Sequence, residues 1–116
     1  MPAIVRHESK AILSGAVEYG DTVYLAGITA EDQSKDAKNQ SEQILATIDR
    51  LLAACGTNKS KILTATIWVS DIRNRAFMNE AWTAWADPKN LPARACIESK
   101  MADARCLVEI QVVAAK

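Results

Sequence analysis

Apolar and polar positions along the chain change period several times, and each change marks an element. Between Gly15 and Gly27, β-forming residues flank Gly20-Asp21, which reads as two strands joined by a short hairpin turn. A short strand around Ile4–His7 precedes them. Asp32 to Asn39 is polar and charged, and then Ile44, Ile48, Leu51, Leu52 and Cys55 recur at helical spacing, with Glu42, Asp49 and Arg50 left for the other face. Asn39 with Glu42 reads as a capping box for this helix, whose start lies as early as Lys35, and Gly56 is its natural stop. Ile62 to Val69 is rich in β-branched residues and reads as a strand. Asn74 is placed to cap a second helix with Met78, Ala81, Trp82 and Trp85 on one face, ended by Asp87-Pro88. Ala93–Glu98 and Cys106–Ala114 read as the last two strands, with Lys100 to Arg105 as an exposed connection.

The order is βββ-α-β-α-ββ, an α+β fold with one mixed sheet and two helices packed on one face. The strands carry apolar residues toward the other face too, and no element is left to cover it. Association of several copies through that face is the simplest way to bury it.

Length and charge narrow the picture further. The 116 residues suit a single domain spanning 1–116, and 49% of them are apolar, as a globular chain requires. Fourteen basic residues balance fourteen acidic ones, which gives no electrostatic footprint for nucleic acid or for a membrane surface. No apolar run approaches a membrane span and the N-terminus does not read as a signal peptide, so the expected location is cytoplasmic. The three cysteines have irregular spacing and no Cys-x-x-Cys pair, which reads as reduced thiols. With His7 as the one histidine, no metal site is expected, and its ring is read as solvated. A phosphate-binding glycine loop, a Gly-x-Ser-x-Gly elbow and a His-Glu-x-x-His motif are absent, and no cofactor is expected.

Chemistry must therefore come from carboxylates, arginine, cysteine or the backbone. Arg94 sits on a strand of small apolar residues, where alternation places it on one face with Cys96 and Glu98. It reads either as a fork that grips a carboxylate or as half of a structural ion pair. Glu109 lies in the apolar run Leu107 to Val113 and shares a face with Gln111, either facing solvent or able to orient a water molecule. Cys96 reads as a small buried hydrophobe, or as a thiol activated by its cationic neighbour. Gly27 ends the third strand, as a bend or as a point of close backbone approach. Asn79 belongs to the surface or reaches a cleft. Cys55 and Cys106 read as structural, and Trp82 and Trp85 as core.

Leu91-Pro92-Ala93-Arg94-Ala95-Cys96-Ile97-Glu98 resembles the signature of the RidA/YjgF family, the reactive intermediate deaminases. Gly20 to Gly27, Thr64 to Asp71, Phe77 to Trp82 and Val108-Glu109-Ile110 extend the resemblance over nearly the whole chain. The Pro-Ala-Arg segment with a glutamate fifteen residues after the arginine is its most specific part. The resemblance implies a chorismate-mutase-like fold assembled as a homotrimer with clefts between subunits. It implies hydrolysis of 2-imino and 2-enamino acids to 2-oxo acids and ammonia. Carried over by position, Arg94 binds the substrate carboxylate, Glu109 positions and activates water, and Gly27, Asn79 and Cys96 help line the pocket. Active members of the best-known subgroup carry a tyrosine near Leu13 and often a serine at Ala26, so two pocket hydroxyls are missing here. The competing readings are a trimer that binds a 2-oxo acid without turnover, a stress-linked holdase and an RNA-cleaving protein.

Overall fold

The structure is a computed structural model and describes residues 2–116. Seven strands and two helices follow in the order β1 (Ile4–Ser9), β2 (Ser14–Tyr19), β3 (Thr22–Leu25), β4 (Ile28–Thr29), α1 (Ala37–Ala54), β5 (Ile62–Val69), α2 (Arg75–Trp85), β6 (Ala93–Glu98) and β7 (Val108–Ala115). The sheet runs β1-β2-β3-β7-β5-β6, and β4 adds to β7. Every pairing is antiparallel except β5 with β6, which is parallel because α2 crosses over between them. The expected order holds, with one element added. The stretch read as a single strand up to Gly27 breaks after Leu25, and Ile28–Thr29 pairs separately with Ile110 and Glu109.

Local chemistry explains the ends. Tyr19 pairs with Thr22 across a two-residue turn, and Gly20 has φ +60°, the left-handed backbone that the first position of a type II′ hairpin demands. Asp36, not Asn39, caps α1: its Oδ1 accepts from the Asn39 N–H at 2.8 Å. A carboxylate one residue before the first helical position reaches a free N–H that Asn39, already inside the first turn, cannot cap. At the other end Gly56, with φ +75°, donates to Ala53 O and Thr57 N–H donates to Leu52 O, a Schellman closure. Asn74 precedes α2 but makes no side-chain cap. Asp71 instead caps the preceding single turn through the Arg73 N–H, and that turn leads directly into α2.

The core lies between both helices and the inner face of the sheet. Ile44, Ile48, Leu51 and Leu52 of α1, with Met78, Ala81 and Trp82 of α2, close over Val23, Ile67, Val69, Ile110 and Val112. Gln40 is fully buried on α1 and is satisfied at both ends of its amide. Its Nε2 donates to Lys35 O at 3.0 Å, Arg105 O at 3.1 Å and Gln33 O at 3.2 Å, and its Oε1 accepts from the Leu107 N–H at 3.0 Å. This one side chain fixes the start of β7 to the first turn of α1. Gln40→Leu is expected to leave these groups unpaired and to cost about 2–4 kcal/mol, lowering Tm by roughly 10 °C. An unchanged thermal midpoint would remove this role.

Among the described residues nothing covers the outer face. Tyr24, Thr64, Thr66, Trp68, Ile97 and Val113 point there, with Tyr24 and Ile97 each 46% exposed. Leu63, 50% exposed, is extruded at a bulge between Ile62 and Thr64. His7 departs from its expected solvated state. Its Nε2 lies 2.5 Å from Glu18 Oε2, and Lys116 Nζ lies 2.6 Å from Glu18 Oε1. Hydrogen bonds from Lys116 and His7 hold the Glu18 carboxyl below its usual range, and the network ties the chain's last residue to the first hairpin. Among the described residues no helix is long and apolar enough to cross a membrane.

Candidate functional site

Arg94 is on β6, directly paired with Ala65 of β5, and it points to the helix-covered face as the alternation requires. Its guanidinium lies over the Trp82 ring, 5.2 Å from the ring centroid, with Nη1 3.9 Å from Met78 Sδ. Trp82 thus serves the core and also forms the base under a cation, a role its spacing alone does not reveal. The ion-pair reading of Arg94 fails: among the described residues it faces no carboxylate within salt-bridge distance. Burial lowers its pKa from the ordinary value; Cys96 opposes that shift and the charge of Arg75 adds to it. A guanidinium stays charged even so, which leaves a partly desolvated cation whose fork meets no oxygen acceptor among the described side chains, only the weak acceptor Met78 Sδ.

A cavity of about 440 Å³ opens beside Arg94, walled by Trp82, Ala86, Pro88, Leu91 and Pro92, with Asn79 and Thr83 from α2. Of the two positions open to Asn79, surface or cleft, the structure has it at this cavity. Its Oδ1 is buried and has no hydrogen-bond donor. Cys96 shares the face of Arg94 and packs against the core, paired with Ile67; it is not among the residues that wall this cavity. Cys55 and Cys106 are buried, as expected, and burial pushes both thiols up.

Glu109 is placed differently. It pairs with Trp68 of β5 and Thr29 of β4, and points to the open face. Its carboxylate occupies the space over Gly27: a Cβ at that position would stand 2.2 Å from Glu109 Oε2. The close approach that a glycine permits is therefore made by a carboxylate of the same chain. Gly27 also lines a second cavity of about 300 Å³ together with Leu13, Ala26, Thr29 and Arg50. Leu13 and Ala26, the two positions where the resemblance lacks hydroxyls, lie together there.

A specific expectation follows from this contact. Gly27→Ala is expected to push the carboxylate aside rather than unfold the chain, because the obstructing atom is the tip of a flexible side chain. Stability should change by less than about 1 kcal/mol. Any reaction that uses Glu109 should slow by about a hundredfold, as a displacement near 1 Å can cause. Thermal melts and steady-state kinetics on the variant check both halves, and full activity would dissociate Gly27 from the chemistry.

The register separates the two groups. Across β6, β5 and β7, one row reads Cys96-Ile67-Ile110 on the helix face, and the next reads Ile97-Trp68-Glu109 on the open face. Arg94 belongs with the first row's face and Glu109 with the second. Within one chain they stand on opposite sides of the sheet.

The sequence matches the family described as "Endoribonuclease L-PSP" over residues 4–116. A RutC family protein from Haemophilus ducreyi is 42% identical over 84% of this chain and 83% of its own. The RutC family protein YoaB of Escherichia coli is 38% identical over 97% of each. Among solved structures, a YjgF-family protein from Neisseria meningitidis superposes with a TM-score of 0.96 at 36% identity, covering 98% of this chain and 95% of that one. RidA from an Antarctic Psychrobacter superposes with a TM-score of 0.85 at 25% identity, covering 93% and 91%. With two helices on one face of a mixed seven-stranded sheet, and with relatives matched over nearly its whole length, the chain belongs to the RidA/YjgF/RutC family.

Proposed function

We propose that the protein hydrolyses reactive 2-imino and 2-enamino acids to 2-oxo acids and ammonia, in clefts formed between the subunits of a homotrimer. The observation that carries this reading is the unpaired, partly buried guanidinium of Arg94, which suits a ligand carboxylate and little else. The carboxylate takes the fork in two parallel hydrogen bonds. Glu109 comes from the open sheet face of a neighbouring copy, since the same chain holds it on the wrong side. An iminium carbon is already electrophilic, so water needs alignment and a proton acceptor, not a metal. As water's oxygen bonds to C2, the C=N π pair moves to nitrogen and Glu109 accepts one water proton; it returns that proton to nitrogen, and as the C–N bond breaks and ammonia leaves, the C=O forms and the hydroxyl proton passes to Glu109 and on to solvent. The trimer also accounts for Tyr24, Trp68 and Ile97, which it would bury.

The metabolite-binding reading has one observation in its favour: Leu13 and Ala26 line the cavity at Gly27 without hydroxyls. It leaves the carboxylate packed over Gly27 without a task. Cleavage of RNA, which the family's name suggests, is opposed by the even balance of fourteen cations against fourteen anions. The test is an amino-acid oxidase that generates 2-imino acids while semicarbazide traps them. The protein is expected to lower semicarbazone formation in proportion to its concentration. No effect with any amino acid, together with tight binding of 2-oxo acids, would favour the non-catalytic reading.

A further inference from the structure

We infer that the cavity beside Arg94 is the pocket for the substrate's side chain, and that it selects 2-imino acids with bulky apolar side chains over those with a methyl group. This rests on the reading of Arg94 as the carboxylate clamp. Once the fork holds the carboxylate, C2 lies one bond away and the side chain one bond further. Only surfaces close to Arg94 can receive it. Those surfaces are the Trp82 ring, Leu91 and Pro92, and the cavity they wall is about 440 Å³, within the range of small-molecule sites. A methyl group would leave most of that volume to water against apolar walls. An isobutyl or benzyl group covers more of those walls, and each methylene taken from water favours binding by about fourfold.

The apolar walls sharpen the choice. A second carboxylate placed against Trp82, Leu91 and Pro92 would lose water without gaining a partner, so imines of acidic amino acids are disfavoured. Thr83 stands on the exposed side of α2 at the cavity's rim, outside the clamp and the water-activating group, and a larger residue there narrows the cavity without entering the core.

The experiment compares the wild-type chain with Thr83→Phe on imines generated from leucine, phenylalanine, aspartate and alanine. The wild type is expected to process the leucine and phenylalanine imines with kcat/KM at least tenfold above that for alanine, and to handle the aspartate imine worst. Thr83→Phe should lose that advantage, its kcat/KM falling about tenfold more on the leucine and phenylalanine imines than on the alanine imine. Equal rates across side chains in the wild type would overturn the inference, as would an equal loss on all substrates in the variant. A change of oligomeric state in Thr83→Phe would also overturn it, by showing that Thr83 holds copies together rather than bounding the pocket. If no imine is turned over, the deaminase reading fails while the pocket is still decided by binding. Calorimetry with 4-methyl-2-oxopentanoate against pyruvate should then show at least tenfold selectivity that Thr83→Phe removes, and equal affinities would sink the pocket alone.

Discussion

Arg94→Ala is expected to reduce imine hydrolysis by at least about a hundredfold and to leave the fold standing. Two charge-assisted hydrogen bonds to a carboxylate are lost together, each worth about 1.5–3 kcal/mol where water is excluded. The loss should appear in KM as well as kcat, since the clamp holds substrate and transition state alike. Stability should respond weakly, because Arg94 has no carboxylate partner within the chain to leave unpaired. Its packing on Trp82 and its weak contact with Met78 Sδ are removed, and the desolvation of a cation is removed with them. Arg94→Lys keeps the charge and loses the fork, so it should fall between the two. Wild-type turnover by Arg94→Ala would remove the arginine from the mechanism. A large fall in Tm would show that the guanidinium had been holding the structure.

How much of this was legible in the sequence depended on the length scale of each interaction. Strand alternation placed Arg94 with Cys96 and Glu98, and Glu109 with Gln111, and the sheet keeps both assignments. The helical faces of α1 and α2 followed from period alone, because burial of Ile44, Ile48 and Met78 overrides any single local preference. Caps were harder. Asp36 and Asn39 are both good cap residues, and what decides between them is where the backbone turns extended, which no spacing encodes. The contact of Glu109 with Gly27 joins positions far apart in sequence, and so does the stacking of Arg94 on Trp82. Each depends on the β3–β7–β5–β6 order, a consequence of the complete topology. The relation between the two candidate groups was hidden for the same reason. Parity along each strand gave a face, but only the register of β6 with β5 and β5 with β7 reveals that the faces differ.

That opposition makes the strongest test of the assembly. Glu109→Gln keeps the shape of the side chain and removes its basicity, so the variant alone is expected to bind 2-oxo acid nearly as well as the wild type and to turn over imine at least about a hundredfold more slowly. Co-expressed with Arg94→Ala subunits, it should regain activity. In a ring of three, a cleft built from one subunit's Arg94 and the next subunit's Glu109 is intact wherever a Glu109→Gln subunit lends its arginine to an Arg94→Ala neighbour. Every mixed ring contains one such cleft, and random mixing in equal amounts makes about three quarters of the rings mixed, so about a quarter of the wild-type activity should return. If both groups served the same cleft from one chain, every subunit would carry one defect and mixing would restore nothing. Chromatography with two different tags isolates the mixed rings and removes incomplete exchange as an explanation. Recovery near one quarter in the whole mixture, or near one third in the isolated mixed rings, from two variants that are nearly silent apart, requires a site shared between copies. The parity of Arg94 and Glu109 across the sheet leads to the same arrangement.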